Sequence, residues 1–173
     1  VIFNEAICAT PGIVNFTNNP NAGTAGVPDL MSKEYLLSWG KRFRAGNIAV
    51  PCRPISTLIN LAGLQSIDFF SLDVEGAELQ VLRTFDWAVP VKVFCIELDR
   101  GPAFDSEVRS LLSMHGYLET KAFKLGGNAV FIHGSLNGTL ISRMRYCQQL
   151  LVEKRPGKCA GGLVHAAHSK IPA

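Results

Sequence analysis

The chain has 173 residues, 47% of them apolar and 18% charged, with a formal net charge of +3. That balance suits one domain with a real core and excludes an intrinsically disordered chain. Basic residues are scattered, gathering only loosely at Lys154, Arg155 and Lys158, so nucleic acid is not an expected partner. No apolar run approaches the ~20 residues needed for a transmembrane helix.

Val1 to Cys8 reads as a strand, and Thr10-Pro11-Gly12 as a turn into a second strand, Ile13 to Thr17. The chain opens on Val1 rather than Met, directly on an apolar run without a signal-peptide pattern, which predicts a piece cut from something longer. Residues 18–32 read as a loop and Lys33–Trp39 as a short helix. Ile48-Ala49-Val50 predicts a short strand stopped by Pro51. From Pro54 the spacing of Ile55, Leu58, Ile59 and Leu61 is helical, with Gly63 as the stop. Ile67–Leu72 reads as a strand, Ala77–Phe85 as a helix and Val91–Leu98 as a strand. Phe104–His115 reads as a helix capped by Ser106 and stopped by Gly116. Tyr117–Phe123 and Asn128–His133 predict a hairpin that places an antiparallel strand at the sheet edge. Thr139 to Val152 predicts a final helix. The expected layout is one domain over residues 1–152 and a mobile tail over 153–173. This alternation of strands and helices indicates an α/β sheet.

The five cysteines, Cys8, Cys52, Cys95, Cys147 and Cys159, form no C-x-x-C pair and no zinc spacing. Cys8 and Cys95 lie in strand-like apolar runs and read as buried free thiols. Cys147 and Cys159 allow a bridge in the tail. The odd count at uneven spacing favours a reducing compartment, and so a cytoplasmic setting. The triplets Asn15-Phe16-Thr17 and Asn137-Gly138-Thr139 match the glycosylation pattern, which matters only in a secreted protein.

The chemistry concentrates in Ile67–Glu78. A strand delivers Asp73 at its end, Glu75 follows, and Gly76 opens a helical run. Acidic groups at the carboxyl end of a strand stand where open α/β sheets bind ligands. Such charges are costly without a partner, so they invite a chemical role. The plainer readings are also specific. Asp73 and Glu75 suit a helix N-terminus through its dipole. Glu78 reads as a solvated helix residue, and Glu97 as the partner of a nearby Arg or Lys. Asp86 reads as the cap of a turn, His115 as a helix C-terminal residue, and Trp39 and Trp87 as packing residues.

Several segments in fixed order resemble the FkbM family of S-adenosylmethionine-dependent methyltransferases. They are Asn4-Glu5-Ala6-Ile7, Val50-Pro51-Cys52-Arg53-Pro54-Ile55-Ser56-Thr57-Leu58, Ile67 to Glu78, Cys95-Ile96-Glu97-Leu98, and His115-Gly116-Tyr117 before Asn128 to Ile132. The resemblance covers roughly residues 1–133. It implies a Rossmann-like class I methyltransferase sheet, mostly parallel with a C-terminal antiparallel hairpin, whose N-terminal strands are absent here. It also implies S-adenosylmethionine as cofactor and direct transfer of the methyl group to a hydroxyl of a small molecule or glycan. By the same resemblance Asp73, Glu75, Ala6 and Ile7 face the cofactor, and Asp73 and Glu97 are the catalytic candidates, a carboxylate serving as proton sink. No Gly-rich turn follows an early strand, so the chain alone is expected to bind the cofactor poorly. Two rival readings remain. Asp73-Val74-Glu75 resembles a D-x-D metal site of a glycosyltransferase, or the chain is a non-catalytic interaction fragment with an open sheet edge.

Overall fold

A computed structural model describes residues 1–17, 25–39, 47–125, 127–136 and 138. Runs rich in β-branched and aromatic residues become strands β1 (Ala6–Ile7), β2 (Gly12–Thr17), β3 (Asn47–Arg53), β4 (Ile67–Leu72), β5 (Val91–Glu97), β6 (Tyr117–Leu125) and β7 (Asn128–His133). Between them lie helices α1 (Lys33–Trp39), α2 (Ile55–Leu61), α3 (Glu78–Arg83) and α4 (Pro102–Met114), and one 3-10 turn at Pro28–Leu30.

The expected α/β class holds. The strands form a three-stranded sheet in the order β1-β3-β2 and a four-stranded sheet in the order β4-β5-β7-β6. Both are mixed: β1–β3 and β4–β5 are parallel, while β2–β3, β5–β7 and β6–β7 are antiparallel. The difference from a mostly parallel sheet has a local cause. The crossover through α3 returns the chain parallel at β5, whereas the tight β6–β7 connection forces antiparallel pairing. The return strand β7 pairs with β5, which leaves β6 outermost.

Side-chain alternation along β5 divides the larger sheet into two faces. Phe94 and Ile96 join Leu72, Tyr117 and Phe131 against Ile59 of α2, Leu82 of α3 and Leu112 of α4. Val93 and Cys95 join Val130 and Ile132 on the other face. Burying each large side chain stabilises the fold by roughly 1.5–3 kcal/mol. Trp87 packs beside Phe85 and Phe94 with its ring stacked on His115. Asp86 caps its turn by accepting from the Ala88 amide.

Several boundaries differ from the sequence reading. The first strand is only Ala6–Ile7, with Val1 and Ile2 exposed. Pro51 does not stop β3. It pairs opposite Ile13 of β2, while β1 reaches only Cys52 and Arg53, so among the described residues one flank of the proline carries no ladder. α4 starts at Pro102 after Gly101, and Ser106 lies inside the helix with its carbonyl accepting from Ser110 Oγ. β4 looked buried in sequence but is half exposed, since it is paired on one side only among the described residues. Cys8 is not a free thiol: it is bonded to Cys52, with Cα atoms 5.6 Å apart. Pairing of β1 with β3 brings the two together across 44 residues of sequence. The ground for expecting a reducing compartment is thereby removed, because disulfides form and persist in oxidising ones. Cys95 is the buried free thiol expected. The helix expected at Thr139–Val152, the tail at 153–173 and the Cys147–Cys159 pairing lie outside the described residues. Among the described residues no helix is long and apolar enough to cross a membrane.

Candidate functional site

Parallel register sets Leu72 of β4 opposite Ile96 of β5. The next residues, Asp73 and Glu97, therefore emerge side by side at the carboxyl edge, and Asn128 of β7 stands opposite Glu97. The sequence candidates Asp73, Glu75 and Glu97 come together here, and the charges of Asp73 and Glu75 both act on Glu97. Ala6 and Ile7 do not join them through any interaction among the described residues. They pair with Cys52 and Arg53, and Ile7 packs against the main core.

After Asp73 the chain turns sharply. Glu75 adopts φ 55°, a left-handed conformation that costs a non-glycine residue roughly 1–3 kcal/mol. Gly76 follows at φ 107°, and a Cβ there would lie 2.5 Å from the Leu30 carbonyl oxygen, so only glycine fits. The residues before α1 thus lie over this turn. Gly26 meets Glu75 from the same side, where an added Cβ would come 3.4 Å from the Glu75 Cβ.

Glu78 corrects its sequence reading. It is fully buried, not solvated, and its Oε1 accepts from the amides of Val74 at 3.1 Å and Gly76 at 3.3 Å. The first residue of α3 turns its side chain back under the turn that precedes the helix.

Arg100, which the sequence reading passed over, organises the acidic groups. Its side chain is only 6% exposed, and it donates to Glu75 Oε2 at 2.8 Å. It lies 3.3 Å from Asp99 and 3.7 Å from Glu97, and its guanidinium rests over the Tyr35 ring at 4.7 Å. Burial alone would lower its affinity for a proton. The hydrogen bond to Glu75 and the charges of Asp99, Glu78 and Glu75 outweigh burial and raise it. Glu75 is therefore committed to Arg100, so Asp73-Val74-Glu75 does not present two free carboxylates to a metal. Among the described residues no group of three His, Cys, Asp or Glu side chains is arranged to hold one.

Glu97 differs from Glu75. At 3.7 Å its contact with Arg100 is coulombic only, and its Oε2 is buried without a hydrogen-bond partner. Burial raises its pKa to about 7, helped by the charges of Asp73, Asp99 and Glu75 and partly opposed by Arg100. Burial, and then Asp73, likewise raise the Cys95 thiol. Asp73 itself is exposed. Among the described residues the carboxyl groups of Asp73, Glu75, Glu78, Glu97 and Asp99 outnumber the one guanidinium beside them, that of Arg100, a balance that favours a cation. A glutamate poised near neutrality beside it can exchange a proton with a bound hydroxyl.

A signal for Arg100 was present three residues after Glu97, just past the strand. Tyr35 and Gly26 carried none, since their roles arise only when α1 and the loop before it fold over the turn.

A comparison with protein families finds that the methyltransferase FkbM domain matches residues 8–119. No curated protein and no solved structure matches significantly.

Proposed function

The chain belongs to the FkbM methyltransferase family, and from that premise we propose that its protein methylates a hydroxyl of a small molecule or glycan with S-adenosylmethionine. The observation that carries this reading is the pairing at the carboxyl edge: exposed Asp73 beside Glu97, whose Oε2 has no hydrogen bond. The described residues fit the cofactor's methionine end, because among them carboxyl groups outnumber the guanidinium at this edge, which suits a sulfonium.

When bound, S-adenosylmethionine supplies a methyl group already activated for displacement. Asp73 and the negative edge would hold its positive end, with Glu75 fixed on Arg100; Ala6 and Ile7 would line the cofactor from β1. Glu97 would orient the acceptor hydroxyl and accept its proton. In this reading the four-stranded sheet is part of a mostly parallel Rossmann-like sheet. Its Gly-rich cofactor turn is supplied by further strands beside β4. The exposed Phe69 on β4, a strand paired on one side only among the described residues, supports this.

Transfer of labelled methyl groups from S-adenosylmethionine to a panel of oligosaccharides and hydroxylated small molecules tests the proposal. Label on oxygen, lost in Glu97→Gln, is the expected outcome. Label on nitrogen or carbon counts against it.

A further inference from the structure

We propose that Glu78 is a positioning residue whose side chain, buried beneath the Asp73–Gly76 turn, holds that turn in the shape that presents Asp73 to the cofactor. The proposal rests on the reading of Asp73 as cofactor-facing.

The turn would not hold itself. Glu75 stands in the left-handed region without being glycine, and Gly76 is also at positive φ. A backbone bent this way persists only where its surroundings over-determine it. Three supports converge. From one side the Leu30 carbonyl closes on Gly76. From another, Arg100 grips the Glu75 carboxylate at 2.8 Å. From beneath, a single Glu78 oxygen collects both inward-pointing amides, those of Val74 and Gly76, which flank Glu75. Those amides belong to neither a strand ladder nor the helix. Without the Glu78 acceptor a buried donor loses its partner, and the turn is released to seek another.

Glutamate fits this role for reasons of reach and chemistry. α3 begins at residue 78, so its side chain must extend back two and four positions to reach Gly76 and Val74. Aspartate is one methylene shorter. Glutamine keeps an acceptor oxygen at the same reach but loses the charge. Glu78 Oε2 makes no hydrogen bond, and the residue's charge is felt at Arg100. Substitutions can therefore separate hydrogen bonding from charge.

The test uses the full-length protein with Glu78→Gln, Glu78→Asp and Glu78→Ala. Amide hydrogen exchange is read at Val74 and Gly76, with Phe94 and Ile96 of β5 as internal controls, and S-adenosylmethionine is titrated by calorimetry. Glu78→Gln is expected to keep exchange and affinity within roughly threefold of wild type. Glu78→Asp and Glu78→Ala are expected to speed exchange at Val74 and Gly76 by roughly tenfold or more, and to weaken the cofactor by a similar factor, with β5 unchanged. Wild-type protection in a folded Glu78→Ala variant overturns the proposal, and so does wild-type affinity despite lost protection. If Glu78→Ala exposes β5 as well, the other pair decides, and equal behaviour of Gln and Asp overturns it. If wild-type protein binds no S-adenosylmethionine, the cofactor-facing reading of Asp73 fails, and with it the proposed purpose of the turn, whatever the exchange shows.

Discussion

Strand β5 buries Val91, Val93, Phe94, Cys95 and Ile96, whereas β3, the middle strand of the smaller sheet, buries only Cys52. The larger sheet is held by apolar packing on both faces. The smaller one relies on ladder hydrogen bonds, the Cys8–Cys52 bond and the Glu5–Arg53 ion pair. The contrast bears on function. The carboxyl groups of Asp73, Glu75 and Glu97 stand at the end of the better-packed sheet. The smaller sheet carries no such crowd, and a covalent bond there does what burial does elsewhere.

The largest expected effect follows from that packing. Phe94→Ala removes a fully buried ring and should cost about 3–5 kcal/mol in denaturant unfolding, whereas Val14→Ala in β2 should cost about 1 kcal/mol or less. Equal losses would show that the two sheets draw equally on burial. Next comes the disulfide. Cys8→Ser, or reduction, should cost roughly 2–4 kcal/mol through the loop it releases. Hydrogen exchange should then rise in β1–β3 and stay low in β5. Loss of protection in both sheets would show that they unfold together.

A smaller effect concerns Glu97. Its folded-state pKa lies near 7, above the usual value of 4.5, so the folded protein binds more protons than the unfolded chain between those values. The contribution of Glu97 to stability is present below about pH 4.5 and is lost as pH rises through about 7. Glu97→Gln should flatten that decline in a pH series of melting temperatures, and an unchanged slope would assign it to another group. Methyl transfer should move the opposite way, rising through about pH 7 as Glu97 becomes able to accept a proton.

Much of the framework could be read from local pattern. Lys33–Trp39 and Ile67–Leu72 agree residue for residue, and Pro54 and Gly63 bracket α2 as their backbone preferences demand. Asp73 and Glu97 were recognisable because each ends an apolar run. What escaped was non-local or depended on side-chain direction. The Cys8–Cys52 bond depends on strand register across 44 residues. The role of Glu78 depends on its side chain folding back against the helix direction, which helical periodicity does not encode. Arg100 and Tyr35 meet only when α1 comes over the end of β5.

In the proposed reading the carboxyl edge of β4 and β5 receives the cofactor through Asp73. Calorimetric titration of S-adenosylmethionine into the full-length protein, wild type against Asp73→Asn, tests it most directly. Asp73 is exposed, so the melting temperature should be unchanged while the dissociation constant rises by roughly tenfold, the range of a lost charge-assisted contact. Equal dissociation constants for the two proteins would remove Asp73 from the cofactor site.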